Sequence, residues 1–161
     1  MIHEAYSYQV INSPKFYFVY ADKILLGCVE KKSGPHQTVS LEIKNHRYRI
    51  EEAANGVALI TNIITNELIG KITVTSVGLL FSKVVFEYNN VKLKWVSKSI
   101  FSLHWQWLKN EETIVDTIED LEIGQQKGVI VMLDNFAEAD LLIMVGVYLR
   151  NSMRKTLPSL G

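Results

Sequence analysis

Cysteine occurs once, at Cys28, so no internal disulfide can form and the core alone must hold the fold. A lone thiol fits a reducing, cytoplasmic compartment. Proline is scarce too: Pro14, Pro35 and Pro158 all sit at apparent element boundaries, which leaves no Pro-rich linker. Net charge is also missing. Seventeen basic side chains balance seventeen acidic ones, so overall charge points to no nucleic-acid partner. No apolar run reaches the roughly 20 residues that a spanning helix needs. The opening MIHEAYSYQV has no basic segment followed by an apolar one, so no signal peptide is expected.

The chain does have enough apolar material for one well-filled domain over 1–161, with 48% hydrophobic residues. Its longest apolar run is Leu141 to Leu149, inside the stretch Asn135 to Lys155. A surface helix would show a polar face opposite its apolar stripe. This run has none, and Asp140 and Arg150 bracket it tightly, so a helix buried on all sides is expected over about 136–154. Asn135 is the candidate N-cap, with Glu138 three residues on completing a capping box. Arg150 complements the negative end of the helix dipole. Gly146 costs such a helix about 1 kcal/mol against alanine. Close approach by a neighbouring backbone or a bulky ring would explain it.

Residues 1 to 133 read as short strands separated by turns. Two hairpins can be tested by their pairing. Turning at Asn45-His46 sets Ile43 against Tyr48, Glu42 against Arg49 and Leu41 against Ile50. Turning at Asn89-Asn90 sets Glu87 against Lys92, Phe86 against Leu93 and Val84 against Trp95. Both registers put apolar pairs on one face and an ion pair on the other. Asn55-Gly56 marks a further turn into a strand Val57 to Ile64; continuing the alternation from Ile50 would turn Glu52 inward, so a bulge or a longer turn is expected between them. Phe101 to Trp107 alternates cleanly, with Phe101, Leu103, Trp105 and Trp107 sharing a face opposite His104 and Gln106. Strands with one apolar face can enclose an all-round apolar helix only by wrapping round it. The expected fold is mainly β: a closed antiparallel barrel of about twelve strands around a central hydrophobic C-terminal helix.

The helix DLLIMVGVYLRNSM after the strand GVIVML and the cap NFAEAD, with the hairpins ITNIITNELIGKI and WLKNEETIVDTI, resembles the tubby C-terminal-like domains. These include the LURP-one-related proteins and the phospholipid scramblases. The resemblance spans nearly the whole chain in element order. It implies a twelve-stranded barrel around a central helix. In tubby proteins it further implies phosphoinositide headgroup binding through basic barrel residues. The scramblases are linked to palmitoylated cysteine clusters and calcium. With Cys28 alone and no Pro-rich N-terminal region, scramblase activity is not expected here.

The residues themselves carry no catalytic pattern. His3, His36, His46 and His104 lack metal-ligand spacing, and no Gly-rich phosphate loop or nucleophile elbow is present. No cofactor and no enzymatic activity are expected. Cys28, in the apolar ILLGCV, reads as buried packing. Trp95, Trp105 and Trp107 read as core filling, with a ligand-stacking platform as the alternative. Glu111, Glu112, Asp116, Glu119, Asp120 and Glu122 read as a solvated acidic surface.

Lys44, Arg47 and Arg49 belong to one hairpin, and Lys83, Lys92, Lys94 and Lys98 to the other. If the hairpins are neighbours, they form a basic patch for phosphate headgroups. The alternative is an ordinary exterior whose cations pair with Glu. The functional expectation is a cytoplasmic binding module, peripheral at an anionic lipid or membrane surface, or else a protein-interaction module indifferent to lipid.

Overall fold

The computed structural model describes residues 4–31, 38–54, 56–77, 81–97, 104–120, 126–134 and 138–156. Twelve strands precede one helix. They are β1 (Glu4–Asn12), β2 (Phe16–Ala21), β3 (Ile24–Lys31), β4 (Thr38–Ile43), β5 (His46–Ala54) and β6 (Val57–Asn62), followed by β7 (Leu68–Val77), β8 (Phe81–Tyr88), β9 (Val91–Ser97), β10 (His104–Lys109), β11 (Glu112–Glu119) and β12 (Gln126–Met132). The helix α1 covers Ala139–Thr156.

Each strand pairs antiparallel with its neighbours in sequence, and β1 pairs with β12, closing the barrel. Closure removes every exposed strand edge. In such a meander successive turns alternate between the two ends. The β2–β3, β4–β5, β6–β7, β8–β9 and β10–β11 turns therefore share one end, called here the upper rim. Three of these turns, at Asp22-Lys23, Asn89-Asn90 and Asn110-Glu111, have both central residues at positive φ. That is the hairpin geometry matching strand twist.

The helix fills the lumen. Leu141 to Val147 are buried without a break, although a helix turns every 3.6 residues and so points these side chains in all directions. Trp105 and Trp107 of β10 press on it from one side, and Met144 meets Gly27 of β3 on another. At the upper rim Lys44 pairs with Asp140 at 2.8 Å. At the lower end Arg150 pairs with Glu119 of β11 at 3.4 Å. Trp95, Trp105 and Trp107 are all essentially inaccessible. Each buried indole contributes about 4–6 kcal/mol of apolar burial as an upper bound.

The expected all-round buried helix and closed barrel are both present. The β8–β9 register is as the sequence implies, with Glu87 opposite Lys92 and Val84 opposite Trp95. A register shift does occur, but beyond Glu52, between it and Ala54; Glu52 keeps the register of Ile50 and is exposed with the rest of the end of β5.

Three expectations need correction. The β4–β5 hairpin turns at Lys44-Asn45 rather than Asn45-His46, with Lys44 at φ 53°. Glu42 therefore faces Arg47, and Leu41 faces Tyr48. An even shift keeps every side chain on its face, so the apolar pattern could not tell the two registers apart. Strand β6 stops at Asn62, leaving Ile63 and Ile64 in the turn. The helix begins at Ala139, with Leu142 N donating to the Glu138 carbonyl at 3.1 Å, so Glu138 precedes the first turn. Asn135, Asn55, Lys98, Phe101, Leu103, His3, His36, Glu122, Pro35 and Pro158 lie outside the described residues.

Candidate functional site

Aliphatic side chains stand out at the upper rim. At the β2–β3 turn Ile24 is 73% exposed, with Leu25 beside it. At the β6–β7 turn Ile64 is 69% and Leu68 61% exposed, with Ile63 between them and β6. The β6–β7 tip is built rather than loose. Asn62 Oδ1 accepts from Ile64 N at 2.9 Å and from Thr65 N at 3.3 Å, an Asx turn. Ile63 N donates to the Arg47 carbonyl at 2.9 Å, tying this tip to β5. Lone exposed aliphatics are ordinary, but a cluster at one end marks an interaction surface.

The β4–β5 turn lies between these two tips and presents Lys44 and Arg47. Lys44 is held by Asp140, whose hydrogen bond and charge keep the ammonium protonated above its ordinary range. Arg47 Nε sits 3.6 Å from Glu42. Next to Leu68, on the barrel's outside, a groove of about 500 Å³ is lined by Leu59, Lys71, Glu87, Asn89, Asn90 and Lys92. Lys71 and Lys92 approach the same carboxylate, Glu87, at 3.5 and 3.6 Å. Two ammonium groups share one carboxylate, so the groove keeps a positive charge.

The two basic hairpins are not neighbours, because β6 and β7 stand between β5 and β8. Lys44 and Arg47 at the β4–β5 turn and Lys92 beside the β8–β9 turn lie at the same end of the barrel, with the β6–β7 turn between them. Arg49 lies lower on the wall, 3.5 Å from Glu51. Lys94 is also on the wall, bonded to Glu111, whose carboxyl that contact holds below its ordinary range. Lys83 is exposed near the start of β8, away from the rim. A wall laced with such pairs is unlike the apolar band of a membrane-spanning barrel. No helix among the described residues is long and apolar enough to cross a membrane.

The other candidates resolve differently. All three tryptophans are buried: Trp105 and Trp107 abut the helix at Gly146, Trp95 packs beside Trp105, and Trp107 Nε1 donates to the Leu142 carbonyl at 2.9 Å. They are core, not a stacking platform. Cys28 is only half-buried, opposite Phe18 and Glu42 on the outer wall rather than in the core. Partial burial and then the Glu42 and Glu30 charges push its thiol above the ordinary range, which disfavours a nucleophilic thiolate. His104 bonds Asp116 on the outer wall, and Gln106 Nε2 donates to the same carboxylate at 3.2 Å.

Glu119 overturns the reading of the acidic run as wholly solvated. It is 5% exposed and faces Arg150, itself 4% exposed, with Gln126 Nε2 donating to it at 3.3 Å. Along β11 it alternates inward with Val115 and Thr117, and that period of two was the signal available in the sequence. Among the described residues no group of three or more His, Cys, Asp or Glu side chains could hold a metal ion. Comparison with family models, curated proteins and solved structures finds no match to this chain.

Proposed function

We propose that this chain is a non-enzymatic binding module of the tubby C-terminal-like kind, seated by its upper rim on an anionic membrane surface. One observation carries the reading. Aliphatic tips at Ile24-Leu25 and Ile63-Ile64-Leu68 flank the cations Lys44 and Arg47, and the Lys71–Lys92 groove opens beside Leu68. Exposed aliphatics enter the headgroup layer while nearby cations meet phosphates. The existing ion pairs are solvent-exposed, so phosphate can displace them at little cost. The lumen is filled by α1, which directs a ligand to the outside. The module so described works in the cytoplasm, peripheral to the membrane.

Co-sedimentation with vesicles of phosphatidylcholine and phosphatidylserine at low salt tests this. Binding is expected, weakening as salt rises. Ile64→Asp with Leu68→Asp should reduce it by at least about tenfold. Lys71→Glu with Lys92→Glu should reduce it and flatten its salt dependence. Absence of binding at low salt, or binding indifferent to both pairs, would sink the proposal.

A further inference from the structure

Tyrosine and tryptophan apart, the buried polar and charged side chains among the described residues are Thr117, Glu119, Gln126 and Arg150. The strands gather them at the lower end of the lumen. Thr117 of β11 stands opposite Trp105 of β10. Gly128 of β12 stands opposite Glu119 on one side and Tyr8 of β1 on the other, so no β12 side chain parts those two. The network there is only half closed. Arg150 Nη2 lies 3.4 Å from Glu119, and Gln126 Nε2 donates to the same carboxylate at 3.3 Å. Arg150 Nε, Trp105 Nε1, Tyr8 Oη and Thr117 Oγ1 are buried and close no hydrogen bond with the protein. Tyr8 is nevertheless within electrostatic reach of its neighbours. Burial and then the Glu119 charge raise its phenol, while Arg150 and the Trp105 indole pull it down.

We propose that this cluster is a binding site for an internal water, which supplies the bonds that these four atoms do not find in the protein. The chemistry of the atoms chooses the ligand. Trp105 Nε1 and Arg150 Nε can only donate, whereas the Tyr8 and Thr117 hydroxyls can also accept. A water accepts two hydrogen bonds and donates two, so a single molecule matches all four. A buried anion would meet Glu119 and a buried cation would meet Arg150, while the ion pair leaves the cluster neutral. Buried waters settle where several otherwise unsatisfied polar groups converge. Leaving four such groups unbonded costs more than immobilising one water. The water links β1, β10 and β11 to α1. Arg150 is then held through Nη2 by Glu119 and through Nε by the water, which fixes the depth of α1 at the lower end of the lumen. The site lies at the end opposite the rim and does not rest on the membrane reading.

Water-selective NOE spectroscopy of the whole chain should show a direct cross-peak between a long-lived water and the Trp105 indole Nε1 proton. Tyr8→Phe and Thr117→Val each remove one hydroxyl with little change of shape. Each alone should keep the cross-peak, because the water retains three partners. Together they should abolish it, and oxygen-17 relaxation dispersion should then fall by about one long-lived water. A wild-type chain without the cross-peak would overturn the proposal. So would its loss in either single variant, which would trace the signal to a hydroxyl proton rather than to water. An unchanged dispersion amplitude in a folded double variant would overturn it too. If the double variant does not fold, the wild type and the two single variants decide the matter.

Discussion

Gly146 is where a single atom decides the packing of the lumen. A Cβ built there would lie 2.5 Å from Trp105 Cζ3 and 2.9 Å from Trp107 Nε1. Its absence lets the Trp107 indole reach the Leu142 carbonyl one turn back along the helix. Gly146→Ala would gain about 1 kcal/mol of helix propensity. Against that stand two rigid rings, forced to shift at an overpacking cost of about 1–3 kcal/mol, and the risk of losing a buried hydrogen bond. The net expectation is a destabilised protein, read as a lower urea midpoint. An unchanged or higher midpoint would mean the rings do not bear on the helix. The phenols give a second expectation. Burial raises Tyr8, Tyr17 and Tyr148 above the ordinary value, and a hydrogen bond to Glu4 pushes Tyr6 up to about 12. The folded chain thus keeps protons that the unfolded chain sheds above about pH 10. Their contribution is complete below that pH and is lost as pH rises through it. The melting temperature should fall steeply above about pH 10, with the buried Tyr8, Tyr17 and Tyr148 ionising only as the chain unfolds. Ionisation of all phenols before unfolding would contradict their burial. The need for close packing at Gly146 was legible in the sequence. Glu119 and Arg150 were not, because a buried ion pair has the same composition as a solvated one, and only the period of β11 set Glu119 apart from the acidic run.

The hairpins show which part of a register a sequence can carry. In β8–β9 the ladder and the turn agree: Asn89 and Asn90 sit at φ 47° and 61°, and asparagine tolerates that region. Either signal alone would have placed the strands. In β4–β5 the turn falls on Lys44, at φ 53°, a residue that turn chemistry would not select. The Glu42–Arg47 and Lys44–Asp140 pairs lie at that turn, and the second comes from the helix, far away in sequence. The Ile63-Ile64 tip was hidden for a related reason, since two isoleucines extend a strand pattern until an Asx turn at Asn62 ends it. The β8–β9 turn therefore offers the cleaner test. Asn90→Gly should stabilise the protein by about 0.5–1 kcal/mol, by relieving positive φ at a position already suited to the turn. Asn90→Val should cost about 1–2 kcal/mol. Equal denaturant midpoints for the two would show that this turn does not hold the register.

A barrel whose lumen is occupied by its own helix can bind only with its outside, and this separates the two ways a membrane could engage it. Docking by the upper rim leaves α1 in place, with Asp140 against Lys44 at one end and Arg150 against Glu119 at the other. Insertion of the helix would have to break both pairs. It would also strip three indoles, each 1% exposed or less, of their packing. At about 4–6 kcal/mol of burial per ring, that exceeds what a handful of rim contacts could return. Every tryptophan in the chain is buried inside the barrel, so tryptophan fluorescence reports on its interior. The folded protein should emit at short wavelength and resist acrylamide quenching. Adding anionic vesicles at low salt should leave both properties unchanged while the protein sediments with the lipid. A red shift or newly quenchable emission on binding would mean that the helix leaves the barrel. In that case the apolar run Leu141 to Leu149, rather than the tips at Ile24, Ile64 and Leu68, would be what enters the membrane.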